Sequence, residues 1–182
     1  MEITKGTFLI STSLEKGIYS RSVVLLCEHN PGGSFGLIIN KPLNMEFPNE
    51  LLSLEKQSNP NIAILSGGNL QLNQMILLHS SPSVPEQALE ICEGVFLGGN
   101  LEFLQKEMAE MHGPYIRLCF GYMAWGPDQL EKEVLSSSWL LHPANAEYVF
   151  KTPPESIWSS ILQNMGGKYA TLSIIPEDLS LN

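Results

Sequence analysis

Positive charge is what this chain has least of. Arginine occurs twice, at Arg21 and Arg117, and the other eight of the ten basic residues are scattered lysines, against nineteen acidic residues and a formal net charge of -9. Affinity for nucleic acid comes mainly from Lys and Arg displacing counterions from phosphates, so this balance opposes direct DNA binding. Long apolar runs are also lacking. None approaches the roughly 20 residues that cross a bilayer, and the apolar run near the N-terminus, after an acidic second residue, is too short for a signal-peptide core. The expectation is a cytoplasmic protein with no membrane segment. Cysteine is limited to Cys27, Cys92 and Cys119, each among apolar neighbours and without CxxC or CxxxH spacing. That pattern suits reduced core thiols better than disulfides. His79, His112 and His142 lack ligand spacing with one another and the GxGxxG fingerprint is missing, so no metal and no cofactor are expected.

What is present is a globular composition, 43% hydrophobic and 16% charged over 182 residues, which suits one domain spanning residues 1–182. Its organising stretch is residues 22–42: two apolar runs, Ser-Val-Val-Leu-Leu-Cys and Phe-Gly-Leu-Ile-Ile-Asn, joined by a polar, glycine-rich connection. Continuous apolar runs read as strands covered on both faces, so this is a buried β-hairpin. A turn centred on Gly32 and Gly33 would set Cys27 near Ile38. It would also hold Glu28, His29 and Asn30 at one end and Arg21, Asn40 and Lys41 at the other, roughly 20 Å away at about 3.3 Å per residue.

Along the chain, residues 7–11 read as a first strand. Residues 47–57 offer a short helix after Pro42 ends the hairpin. Residues 61–65 and 74–79 are two strands about a glycine turn at Gly67-Gly68, and residues 90–97 a strand broken at Glu93-Gly94. Asn100 caps an amphipathic helix with Leu101, Leu104, Met108 and Met111 on one face and Glu102, Lys106, Glu107 and Glu110 opposite. Residues 115–122 form a strand that runs into a helix with Pro127 at its first position and Asp128 and Glu131 in its first turn. Residues 138–142 suggest a last strand, and residues 154–165 a helix turning Ile157, Trp158, Ile161 and Leu162 inward before Gly166-Gly167 stops it. Hairpins with helices inserted late give an α+β fold, with a mainly antiparallel sheet bent strongly at glycines near strand ends.

Taken together, Gly6-Thr-Phe-Leu-Ile-Ser, Arg21-Ser-Val-Val-Leu-Leu-Cys-Glu-His-Asn30, Gly36-Leu-Ile-Ile-Asn-Lys-Pro42, Gly67-Gly68, Leu78-His79 and Gly121-Tyr-Met-Ala-Trp-Gly-Pro-Asp-Gln-Leu-Glu131 resemble the bacterial YqgE/AlgH family over most of the chain. The resemblance implies one α+β domain whose bifurcated sheet folds into a pseudo-barrel with helices outside, in a bacterial cytosolic protein. The AlgH name adds transcriptional regulation, but no catalytic or ligand residues carry over. The chain departs from the pattern at Ser13, where proline is common, at Asn69-Leu70, where Pro-Val is usual, and at Gln74, where arginine is frequent.

Three clusters are candidate sites. Arg21, Asn40 and Lys41 make a positive, hydrogen-bond-rich spot suited to a carboxylate, a phosphate or an acidic segment. Trp125 and Gln129 set an aromatic and an amide beside a helix start. Cys27, Glu28, His29 and Asn30 combine thiol, carboxylate and imidazole, and Cys27 and His29 could share a strand face. Burial of Cys27 as a small hydrophobe, and turn-stabilising bonds from Glu28, His29 and Asn30, are the simpler readings. No activated nucleophile is evident, so no residue is assigned as catalytic. The expectation is a non-enzymatic regulatory or binding protein presenting Arg21, Asn40, Lys41, Trp125 and Gln129 to a small ligand or protein partner. The alternative is a hydrolase or transferase using Cys27 and His29.

Overall fold

The hairpin at residues 22–42 is seen in the computed structural model, which describes residues 2–45 and 60–176. Its strands are β2 (Val23–Asn30) and β3 (Gly33–Ile38), paired antiparallel. Both faces are covered. Val23, Leu25 and Cys27 pack with Phe8, Leu37 and Cys119, whereas Val24 and Leu26 pack with Leu9, Ile38 and Trp125. A strand buried on two sides has no place for polar alternation, which is why the run is continuous. The turn differs from expectation. Asn30 pairs with Gly33, so Pro31 and Gly32 make it, and Asn30 Oδ1 accepts the Gly32 amide at 2.8 Å. Ile38 pairs with Val24 and not near Cys27, because the turn lies one residue earlier than expected and Cys27 is the extra residue of a bulge between Leu26 and Glu28.

The other strands are β1 (Thr7–Ser11), β4 (Ile62–Ser66), β5 (Leu70–His79), β6 (Leu89–Cys92), β7 (Val95–Leu97), β8 (Ile116–Trp125) and β9 (Trp139–Pro143). The sheet runs β6-β7-β5-β8-β3-β2-β1-β9, with β4 off this path and paired to β8. The first half of β8 lies between β4, parallel to it, and β5, antiparallel, while its last three residues pair with β3. The sheet therefore forks at β8, and it curls until Lys5 Nζ, just before β1, donates to Glu90 O on β6 at 2.8 Å. This is the strongly bent, mainly antiparallel α+β sheet expected.

Because β4 and β5 flank β8, Gly67 and Gly68 do not simply turn the chain. They carry it across the face of β8: a Cβ on Gly67 would sit 2.3 Å from Gly121 O, and one on Gly68 2.0 Å from the carbonyl carbon of Tyr122. Only glycine permits such an approach of two backbones.

Among the described residues, four helices and one π-helical turn cover the sheet. In α1 (Leu101–Met108), Asn100 Oδ1 accepts the Phe103 amide at 2.8 Å as expected for the cap. The buried face is Leu104, Glu107 and Met108, however, with Leu101 and Met111 exposed. Glu107 goes inside because Ser81 Oγ donates to its carboxylate at 2.9 Å. α2 (Gln129–Leu135) starts two residues later than Pro127 suggests, since Asp128 is its N-cap with a left-handed φ of 59°. α3 (Pro154–Met165) buries Ile157, Trp158, Ile161 and Leu162 against β1, β2 and β3, and each such side chain stabilises the fold by roughly 1.5–3 kcal/mol. α4 (Gly167–Ser173) follows. The π-helical turn Glu147–Lys151 was not expected. Its carbonyls at Val149 and Phe150 accept from buried Arg117, which also donates to Asn61 O and Ile116 O at 3.1 Å. The helix expected over residues 47–57 lies outside the described residues.

Candidate functional site

Where β1, β8, α2 and β9 meet, they leave an open cleft of about 490 Å³. Trp125 ends β8 and Trp139 begins β9; their rings meet edge to face at 6.1 Å and form the floor. Both indole N–H groups donate to one oxygen of Glu133, at 2.9 and 2.7 Å. Gln129, one helical turn earlier on α2, donates its amide to the other Glu133 oxygen at 3.0 Å and accepts the Gly126 amide at 3.1 Å. A carboxylate receiving three hydrogen bonds fixes both rings and the helix start together. Tyr19, edge-on to Trp139 at 6.3 Å and 44% exposed, presents its ring at the mouth, with Ser13, Thr12 and Ser138 supplying hydroxyls.

Arg21, Asn40 and Lys41 lie elsewhere, in a separate cavity of about 360 Å³ with Glu155, Trp158 and Ser159. The arrangement does not bring them together with Trp125 and Gln129. The chain's own carbonyls engage all three: Arg21 donates to Ile175 O at 2.5 Å with its guanidinium 4.9 Å from the Trp158 ring centre, Asn40 to Arg21 O at 2.8 Å, and Lys41 to Ser20 O at 2.6 Å. These contacts pin the loop before β2, and that loop carries Tyr19. Arg21 itself bonds back through its amide to Ser13 O. The cluster thus positions one wall of the first cleft.

Cys27 and His29 do not share a face. Past the bulge His29 pairs with Ser34 and Ser34 with Trp125, all on the side opposite Cys27. Cys27 Sγ donates to Leu25 O, and burial pushes its pKa well above the ordinary thiol value. His29 bonds Ser34 Oγ at 2.8 Å and approaches Glu131 at 3.7 Å, while Glu28 accepts from Asn30 at 2.6 Å within the turn. A thiol held neutral and away from a base is a poor nucleophile.

A family model described as AlgH-like (DUF179) matches residues 8–170. The chain belongs to this AlgH-like family. It is 51% identical over 99% of its length to a UPF0301 protein of Chlamydia pneumoniae, covering 96% of that relative, and 36% identical to one from Cytophaga hutchinsonii over 99% of this chain and all of that one. The solution structure of the AlgH protein from Pseudomonas aeruginosa superposes with a TM-score of 0.69 at 26% identity, covering 97% of this chain and 98% of that one. A crystal structure from Corynebacterium diphtheriae has the same fold, with a TM-score of 0.77 at 19% identity over 96% and 94% of the two chains. The family is bacterial and uncharacterised in activity.

Sequence reasoning missed Glu133 and Tyr19 in this AlgH-like chain, although Trp125, Gln129 and Glu133 at four-residue spacing were there to be read as one face. It weighed His79 only as a metal ligand and did not find its burial. That side chain is fully buried between Phe96 and Phe103, with ring centres 5.6 and 4.7 Å away, and Nδ1 accepts the Ser81 amide at 3.2 Å. Among the described residues Nε2 has no hydrogen-bond partner. Burial lowers its pKa from 6.5 to about 4. The unfolded chain therefore takes up this proton first as pH falls. The stability that neutral His79 allows is complete above pH 6.5 and is lost between 6.5 and about 4, by up to about 3 kcal/mol. Urea unfolding across that range should show His79→Phe losing less stability than the wild type; equal slopes would place the acid sensitivity elsewhere.

Proposed function

We propose that the protein is a non-catalytic binding protein of regulatory type that takes a small ligand in the Trp125–Trp139 cleft. One observation carries this reading: the two indoles are fixed by a shared carboxylate beneath an open space large enough for a metabolite, with an exposed phenol and hydroxyls at its rim. Pre-formed, largely apolar concavities with a few placed polar groups are what small-molecule sites look like, and rigidity lowers the entropic cost of binding. Arg21, Asn40 and Lys41 act here through the Tyr19 loop. The hydrolase or transferase alternative lacks comparable support, because the bulge at Cys27 separates its two residues.

Ala124 is exposed on the cleft wall, so Ala124→Arg should fill the cleft while leaving the core intact. The small-molecule fraction of a bacterial lysate should raise the melting temperature of the wild type by about 5–10 °C if its ligand is present near a hundredfold above Kd. It should not raise that of Ala124→Arg. Equal shifts in both proteins, or none in either, would count against the cleft.

A further inference from the structure

Glu133 is the one charged side chain among the described residues that line the cleft, and no Lys or Arg stands within ion-pair distance of it among the described residues. Its Oε2 is saturated by the two indoles, but Oε1 accepts only Gln129, leaving one lone-pair direction for an incoming donor. Resting on the cleft being a ligand site, we infer that its ligand is a small organic cation: a protonated amine or quaternary ammonium on a short apolar or aromatic body.

The physical reason is desolvation. Any ligand that fills the cleft strips water from a carboxylate already backed by indole rings, and a buried carboxylate without a counter-charge is costly. An anion adds repulsion, and a neutral ligand leaves the charge uncompensated. A cation offsets it, and the half-exposed Tyr19 ring, which also lines the cleft, is a second group that attracts cations. The chain's net charge of -9 draws cations toward the surface as well. The hydroxyls of Thr12, Ser13 and Ser138 match the body of a ligand carrying a hydroxyl or phenol.

The test uses isosteric pairs that differ in charge: choline with 3,3-dimethylbutan-1-ol, and tyramine with 4-(2-hydroxyethyl)phenol. Binding is followed by the indole N–H resonances of Trp125 and Trp139 in the full-length protein, with Trp158 as the internal control. The cation of at least one pair should bind at least about tenfold more tightly than its neutral partner, and the advantage should shrink with added salt. In Glu133→Gln the preference should vanish, the charged and neutral partners of each pair binding alike. If that variant does not fold, the salt dependence in the wild type carries the test alone. Neutral and charged partners binding equally, or a preference that survives in Glu133→Gln or ignores salt, would overturn the cation inference and leave the cleft a ligand site. Silence from all four probes would also overturn it, and the Ala124→Arg comparison would then judge the cleft separately.

Discussion

Gly68→Ala should yield no folded protein. A methyl group at that position would lie 2.0 Å from the Tyr122 carbonyl carbon and 2.6 Å from the Met123 amide nitrogen, and both obstacles are backbone atoms of the strand at the middle of the sheet. A flexible side chain could swing away; β8 cannot move without releasing β3, β4 or β5. Overpacking usually costs about 1–3 kcal/mol when neighbours can adjust. Here the cost should exceed about 4 kcal/mol, a large share of the roughly 5–15 kcal/mol that holds a domain together. The readout is soluble yield and far-ultraviolet circular dichroism, with Gly126→Ala as the comparison, since its added Cβ meets nothing nearer than 3.9 Å. A soluble, cooperatively melting Gly68→Ala protein within a few degrees of wild type would mean the crossing is drawn wrongly.

Arg117→Met should lose about 3–5 kcal/mol of unfolding free energy in urea. Arg117 is 6% exposed, and its guanidinium holds the carbonyls of Asn61, Val149 and Phe150, joining the start of β4 and the π-helical turn to β8. Methionine fills similar volume but donates nothing, so several buried acceptors lose their partner at once. Burial lowers the arginine pKa, which says the charge itself gains little from this site; its fork of donors is what matters. Arg117→Lys should therefore recover less than half of the loss, because one ammonium cannot span three separated carbonyls. Full recovery by lysine would show that charge, not geometry, is the requirement.

The scarcity of arginine, visible at once in composition, turns out to mark these two joints. Arg117 and Arg21 both donate to carbonyls of the C-terminal helical region, at Val149 and Phe150 and at Ile175. Composition could count them but not say where they point, because Arg117 sits in a strand run whose neighbours on either side are apolar. The hairpin, the Asn100 cap and the inward face of α3 were legible, since each depends on local periodicity and capping chemistry. The bulge at Cys27 was not: one extra residue leaves the residue types unchanged while turning His29 to the other face. Burial of Glu107 was equally hidden, because period alone assigns a carboxylate to solvent and only the long-range hydroxyl of Ser81 reverses that. Gly67-Gly68 looked like a turn, as close backbone approach and tight turning use the same residue. The cleft was half legible, with Trp125 and Gln129 named and their shared anchor Glu133 missed.

The position of β8 also sets an order of events during synthesis. Three strands wait for it, and it emerges only after residue 115, so a ribosome-bound chain shorter than that carries β3, β4 and β5 with exposed hydrogen-bonding edges. Nascent chains stalled before β8 should be the form most prone to aggregate and most in need of a chaperone's protection.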